Sequence, residues 1–99
     1  MLIGRNTFSS AELNAEELKT KNGAILIGSP TGQKPNAYGE VQAFELPHSK
    51  IKIGYSTKYF YRSDEDPESL MPDVLVEQSS EDLFSGRDVV LEAALDYAP

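Results

Sequence analysis

The stretch SSAELNAEELKTKNGAILIG, residues 9–28, decides the fold class because it places a helix directly before an apolar strand. Ser9 and Glu12 match the S-x-x-E capping box, in which the two side chains satisfy backbone N–H groups at a helix start. Three apolar residues at i, i+4 and i+7 give the helix one narrow stripe, formed by Ala11, Ala15 and Leu18. These features predict a helix over residues 9–21.

The strand follows where this helix stops. Asn22-Gly23 is a typical helix C-terminus, and AILIG, residues 24–28, is a continuous apolar run of strand length. Such a run is typical of a strand that is covered on both faces. The stretch therefore predicts a mixed α/β fold with a buried strand behind its first helix.

The rest of the chain predicts three further strands and two helical segments. Residues 29–40 hold two prolines and two glycines, which indicates a long loop. Residues 51–62 alternate between apolar and polar side chains and predict a strand with one buried face. The other predicted elements are strands over 41–47 and 74–78, a helical turn within 79–86 capped by Ser79 or Ser80, and a helix over 87–97 capped by Asp88. The predicted order is α-β-β-β-β-α, and MLIG, residues 1–4, is typical of the end of a strand that began upstream.

Composition excludes several classes of function. Nine basic and sixteen acidic residues give a net charge of −7, so phosphate backbones and anionic membrane surfaces are repelled. The chain has no cysteine, which removes disulfides, thiolate nucleophiles and cysteine-based zinc sites. Its single histidine, His48, lies in a predicted surface turn. We therefore expect no metal, no cofactor and no nucleic-acid partner.

Two short motifs resemble ligand loops but depart from them. GSPTGQK, residues 28–34, has three residues between its glycines where a phosphate loop needs four, and Gln33 intervenes before the lysine. DEDPE, residues 64–68, lacks the glycine and the spaced ligands of a calcium loop and predicts a solvated acidic loop. We therefore expect neither a nucleotide nor calcium to bind here.

Two interpretations of Ser9 stay open at this point. As a capping residue it would stabilise the helix by about 1 kcal/mol. As a nucleophile it would lie beside helix N–H groups that can hold a developing oxyanion. The helix and its return strand could bring Lys34, 25 residues later, back to the helix start. A serine nucleophile with a lysine base would then result.

Five motifs in order resemble the tail-specific, or C-terminal processing, serine peptidases. They are TFSSAE, AILIGSPTGQK, FELP, MPDVLVE and SGRDVVLEAAL, and their order and spacing are similar to the family's over nearly all 99 residues. The resemblance implies that Ser9 is the nucleophile, Lys34 the base, and the Ser10 N–H one oxyanion donor. The second oxyanion donor would come from a glycine-rich part of the family's domain upstream of these residues.

The chain departs from the family pattern in the loop that carries the lysine. Ser29 replaces a glutamate, Gly32-Gln33 replaces Phe-Gly, and Pro35 follows the lysine. Tyr38 lies where the family often has a glutamine that orients the lysine. These departures motivate an alternative function, a non-catalytic peptide- or ligand-binding module on the same scaffold. A small structural interaction domain is the alternative outside the family.

The resemblance further implies that residues 1–99 are the C-terminal part of a crotonase-like α/β peptidase domain. Peptide hydrolysis would require the pKa of Lys34 to fall from about 10.4 to about 7–8 in a dry pocket. We expect the 99 residues alone to leave Lys34 hydrated and to be inactive. The expected partners are a peptide or protein substrate, the preceding part of the parent chain, and a second copy paired through exposed strand edges. Relatives in this family are often exported or membrane-anchored.

Overall fold

A computed structural model describes residues 1–97, which form five strands and three helices. In chain order these are β1 (Leu2–Ile3), α1 (Ser10–Asn22), β2 (Ile27–Gly28), β3 (Ala37–Glu45), β4 (Lys52–Phe60), β5 (Val74–Leu75), α2 (Ser80–Phe84) and α3 (Val89–Asp96). The predicted mixed α/β class is confirmed. The predicted order is also recovered, and the strand end predicted at residues 1–4 and the helical turn predicted within 79–86 are present as β1 and α2.

The core of the protein is built around a parallel sheet of three short strands in the order β1-β2-β5. The middle strand, β2, is buried, and so is Leu26 directly before it. This confirms the prediction of a strand covered on both faces, although the paired residues are only Ile27–Gly28. Leu26 packs with Ile3 and Ala15 in the core, and the half-buried Leu70 lies against this cluster.

The first helix buries a different stripe from the predicted one. Ala15 is fully buried as expected, but Ala11 is exposed and Leu18 is 39% exposed. The other fully buried residue of α1 is Glu12, so the inner face of the helix carries a carboxyl group. The predicted stop is confirmed: Gly23 is left-handed (φ 66°) and its N–H donates to the Lys19 carbonyl at 3.1 Å.

The strands β3 and β4 form a long antiparallel hairpin, here called the hairpin arm (residues 37–60). The first strand starts at Ala37, inside the predicted loop 29–40, because pairing with Phe60 extends the ladder to the base of the arm. The predicted half-burial of 51–62 is wrong, since side chains on both faces of β4 are exposed up to Tyr59. The two strands pack on each other, and no other element of residues 1–97 makes comparable contact with them. The chain is accordingly elongated, with a radius of gyration of 17.3 Å against about 13 Å for a compact domain of this length.

The caps of the two later helices were predicted correctly. The Ser79 hydroxyl accepts a hydrogen bond from the Asp82 N–H, and the Asp82 carboxylate accepts one from the Ser79 N–H, which completes a capping box. Asp88 accepts a hydrogen bond from the Leu91 N–H at 3.0 Å and caps α3. His48 lies exposed in the turn of the arm, as predicted.

Asp73 joins the first helix to the sheet. One of its carboxylate oxygens accepts from the Lys19 ammonium and the other from the Leu26 N–H, both at 2.8 Å. The Lys19 ammonium, with the Leu26 N–H adding to it, lowers the pKa of Asp73. We expect Asp73→Ala to lower the free energy of unfolding at pH 7 by about 1–2 kcal/mol, because the Leu26 N–H loses a charged acceptor.

The pH dependence follows from the direction of that shift. A carboxyl group whose folded pKa is lowered stabilises the fold above its ordinary pKa, and this stabilisation disappears as the pH falls through the folded pKa. The difference in the free energy of unfolding between the unmodified protein and Asp73→Ala should therefore shrink below about pH 4. Urea unfolding at pH 7 and pH 3 measures it, with the exposed Glu65→Ala as control. Equal stability of both variants at pH 7 would show that the Asp73 contacts contribute nothing.

Candidate active site

Ser9 sits in a strained turn immediately before α1. Its backbone has φ 57° and ψ −124°, and its side chain makes no capping hydrogen bond. The predicted capping box is therefore wrong at this helix: capping needs an extended backbone, and the Glu12 side chain is buried instead of reaching back to Ser9. A non-glycine residue held in such a conformation stores about 1–3 kcal/mol and is concentrated at functional sites. The nucleophilic serines of α/β-hydrolases occupy a strained turn before a helix.

The first turn of α1 leaves backbone donors free. The Ala11 N–H donates to the Phe8 carbonyl and the Leu13 N–H to the Ser9 carbonyl, each at 3.2 Å. The N–H groups of Ser10 and Glu12 have no acceptor within residues 1–97. The Ser10 amide, next to the Ser9 hydroxyl in the chain, is therefore available to bind an oxyanion.

The loop after β2, residues 29–36, returns to the helix start, as the sequence predicted. The Gly32 N–H donates to the Thr7 carbonyl at 3.1 Å, and a Cβ at Gly32 would lie 2.0 Å from the Arg5 carbonyl oxygen. Thr31 anchors the other side of the loop, since its N–H donates to the Leu70 carbonyl and its hydroxyl accepts from the Leu70 N–H. The glycines of GSPTGQK thus serve close backbone packing, and the loop delivers Gln33 to Ser9.

Gln33 is the side chain that the structure brings to Ser9. Its carboxamide oxygen accepts a hydrogen bond from the Ser9 N–H at 2.9 Å. Gln33 was not among the predicted site residues. The one hint in the sequence is that it replaces a glycine of the peptidase family that the chain resembles.

Lys34 points to the acidic loop. Its ammonium lies 2.9 Å from an Asp66 oxygen and 3.5 Å from a Glu68 oxygen. The hydrogen bond that Lys34 donates to the Asp66 carboxylate is the main cause that raises the pKa of Lys34, so the side chain is a cation at neutral pH. Lys34 is not one of the described residues that line the groove at Ser9. The structure therefore brings Ser9 and Ser10 together with Gln33, and holds Lys34 in an ion pair.

Asn36 fixes the acidic loop that holds Lys34. It is almost fully buried, and its amide donates to the Ser63 carbonyl at 2.7 Å and to an Asp66 carboxylate oxygen at 3.2 Å. Its own oxygen accepts from the N–H groups of Arg62 and Ser63. Lys34 and then Asn36 lower the pKa of Asp66. The loop predicted as solvated is exposed, but Asp66 within it is a fixed counter-ion.

Ser9 opens onto a groove of about 470 Å³ between the start of α1 and the base of the hairpin arm. The groove is lined by Ser9, Ser10, Gln33, Tyr38, Glu40 and Phe60 among others. A second crevice, of about 750 Å³, lies at the carboxyl ends of the three parallel strands and contains Arg5, Ser29 and Glu77. Carboxyl ends of parallel strands are where α/β sheets bind ligands. Both openings flank the turn that carries Ser9.

Glu12 is buried on the inner face of α1 without a hydrogen-bond partner. Both carboxylate oxygens are unpaired within the described chain. Burial raises the pKa of Glu12; the nearby Thr31 hydroxyl opposes the shift, and Glu16 adds to it. That hydroxyl is already engaged, because it donates to the Gln33 carbonyl and accepts from the Leu70 N–H. Burial therefore makes Glu12 a weaker acid than an exposed glutamate.

Within residues 1–97, no group of three or more histidine, cysteine, aspartate or glutamate side chains is arranged to hold a metal ion. None of the described helices combines the length and the apolar character needed to cross a membrane.

Comparison with known proteins gave no match for this chain among protein-family models, curated proteins or solved structures.

Proposed function

We propose that this chain carries the nucleophile of a serine peptidase of the tail-specific type, with Ser9 as the attacking residue. The observation that supports this most directly is the strained Ser9 turn beside the unpaired Ser10 N–H. That turn holds a hydroxyl next to a free donor, which is what acyl transfer requires. The groove between α1 and the arm is the proposed site for a peptide or protein substrate.

In the proposed reaction, a base removes the proton of the Ser9 hydroxyl and the oxygen attacks the scissile carbonyl. The carbonyl electron pair moves onto oxygen, where the Ser10 N–H stabilises the charge. The tetrahedral intermediate collapses, the amine leaves with a proton from the base, and water then hydrolyses the acyl-enzyme. Lys34 is the proposed base, and it can act only after it has left Asp66 and Glu68 and lost its proton.

The remaining part of the proposed peptidase domain is the expected partner of this chain. The accessible surface is 7195 Å², about 1,600 Å² more than a compact protein of this mass exposes. Burial in a standard protein interface takes about 800 Å² from each partner. The remaining part of the proposed crotonase-like domain would cover this excess, and pairing of two copies through strand edges is the alternative way to cover it.

A non-catalytic binding module on the same scaffold is the second candidate function. The ion pair of Lys34 with Asp66 favours it, because a lysine with a raised pKa is a poor general base at neutral pH. In this alternative the groove still binds a peptide, and Ser9 forms no covalent bond.

Replacing Ser9 in the gene product that contains these residues tests the proposal. We expect Ser9→Ala to lower kcat for peptide hydrolysis by about a millionfold, the loss seen when the nucleophile is removed from another serine peptidase. Lys34→Ala should cause a similar loss, whereas Ser56→Ala, on the exposed arm, should leave kcat unchanged. Kinetics and labelling by a serine-directed phosphonate measure both effects.

The variants also separate the alternatives. A fall of kcat in Ser9→Ala without a fall in Lys34→Ala would show that another residue is the base. Unchanged hydrolysis in both variants would contradict a Ser-Lys dyad, and absence of hydrolysis in the unmodified protein together with peptide binding would favour the binding module.

A further inference from the structure

The carboxamide of Gln33 has a fixed orientation beside Ser9. Only its oxygen can accept the Ser9 N–H at 2.9 Å, so the nitrogen end of the same group is identified without ambiguity. The oxygen and nitrogen of one carboxamide are about 2 Å apart. The Gln33 Nε2 therefore lies within about 5 Å of the Ser9 nitrogen.

The two N–H bonds of that nitrogen are available to a ligand. Gln33 Nε2 has no acceptor among the residues that the structure describes, and Gln33 lines the groove together with Ser9 and Ser10. The Ser9 N–H, by contrast, is occupied by the Gln33 oxygen. Two free donors near the Ser9 turn are thus the Ser10 amide, which follows Ser9 in the chain, and the Gln33 carboxamide.

We propose that Gln33 is a catalytic residue of this site: its oxygen holds the Ser9 turn and its Nε2–H donates to the oxyanion of the tetrahedral intermediate. This inference rests on the proposed serine peptidase activity. When the Ser9 oxygen bonds to the carbonyl carbon, the π electron pair moves onto the carbonyl oxygen. That oxygen accepts hydrogen bonds from the Ser10 N–H and from Gln33 Nε2, while the Ser9 proton passes to the base. Side-chain amides act as such donors in other hydrolases.

One glutamine then links two requirements of the chemistry. The strained Ser9 backbone needs a partner for its N–H, and the developing charge needs a second donor. Gln33 meets both through the two ends of one rigid planar group, so that fixing the turn also fixes the direction of the donor.

Two substitutions separate these roles in the gene product that contains residues 1–99. Gln33→Glu keeps an oxygen for the Ser9 N–H but has no Nε2–H, whereas Gln33→Met removes both. We expect kcat to fall at least about 100-fold in both variants with KM nearly unchanged, the usual effect of losing an oxyanion donor. The Ser9 amide should stay protected from hydrogen exchange in Gln33→Glu and lose protection in Gln33→Met. Gln42→Glu, exposed on the arm, is the control for added charge and should retain kcat.

The results distinguish this inference from the activity on which it rests. If Ser9→Ala abolishes activity but Gln33→Glu retains the kcat of the unmodified protein, the donor role of Gln33 is overturned and the peptidase proposal stands. If kcat falls only in Gln33→Met, Gln33 positions the Ser9 turn and does not contact the oxyanion, which also overturns the donor role. If Ser9→Ala leaves the activity intact, both proposals fail.

Discussion

Replacing Gly28 with alanine is expected to destabilise the parallel sheet strongly. Gly28 lies in the middle strand with φ 137°, and an added Cβ would lie 2.0 Å from the Ile3 carbonyl oxygen and 3.1 Å from its carbon. Both atoms belong to the neighbouring strand β1, which pairs with Gly28 through Ile3, so they cannot move without breaking the ladder. Overpacking and an unfavourable backbone each cost about 1–3 kcal/mol. We expect a loss of about 3 kcal/mol or more in the free energy of unfolding, a large share of what a domain of this size has.

Two other glycines provide matched controls for this prediction. Gly23 has a similarly positive φ (66°) but nothing within 4 Å of an added Cβ, so Gly23→Ala should cost only about 1 kcal/mol. Gly54, on the arm, has ordinary backbone angles and a first contact at 3.4 Å, so Gly54→Ala should be nearly neutral. Urea unfolding monitored by circular dichroism gives the three values. A Gly28→Ala midpoint equal to that of Gly23→Ala would contradict the steric explanation.

Replacing Glu12 with methionine is expected to stabilise the protein at neutral pH. Glu12 is fully buried, and neither of its oxygens has a partner in the described chain. Replacing buried ionisable groups with apolar side chains of similar volume often stabilises proteins by about 1–4 kcal/mol. We expect a gain of about 1–3 kcal/mol for Glu12→Met at pH 7.5, because the unfolded chain no longer gains from ionising this residue.

The sign of the pH dependence is opposite to that of Asp73. Burial raises the folded pKa of Glu12, so the folded state holds a proton that the unfolded state releases, and stability falls as the pH rises from about 4 through the folded pKa. The advantage of Glu12→Met should therefore be largest above that pKa and smallest near pH 4. Thermal unfolding at pH 4.5 and 7.5 measures it, with the exposed Glu65→Gln as control. A less stable Glu12→Met at pH 7.5 would show that the carboxyl group makes a stabilising contact in the folded protein.

The features that sequence predicted well depend on neighbouring residues. Gly23 ends α1, Ser79 pairs with Asp82, and Asp88 caps α3, because each of these contacts is made within a few residues along the chain. The buried strand could be predicted equally well, since a continuous apolar run indicates a strand that is covered on both faces.

The features that sequence missed depend on distant residues. Ser9 looks like a cap by its spacing from Glu12, but its N–H is taken by Gln33, 24 residues away. The loop return was predictable from the helix and strand, whereas the choice of Gln33 over Lys34 depends on how Thr31 and Gly32 bind the surrounding backbone. The alternation in 51–62 identifies the face that favours burial, and it carries no information on whether another segment covers that face.

The hairpin arm is held together by contacts within the arm. Its ladder joins residues that are near in sequence, and its aromatic pairs, Tyr38 with Tyr59 and Phe44 with Tyr55, lie within the arm itself. Local contacts of this kind allow a segment to open as its own cooperative unit. Because Tyr38 and Phe60 at the base of the arm line the groove at Ser9, opening of the arm would change the shape of that groove.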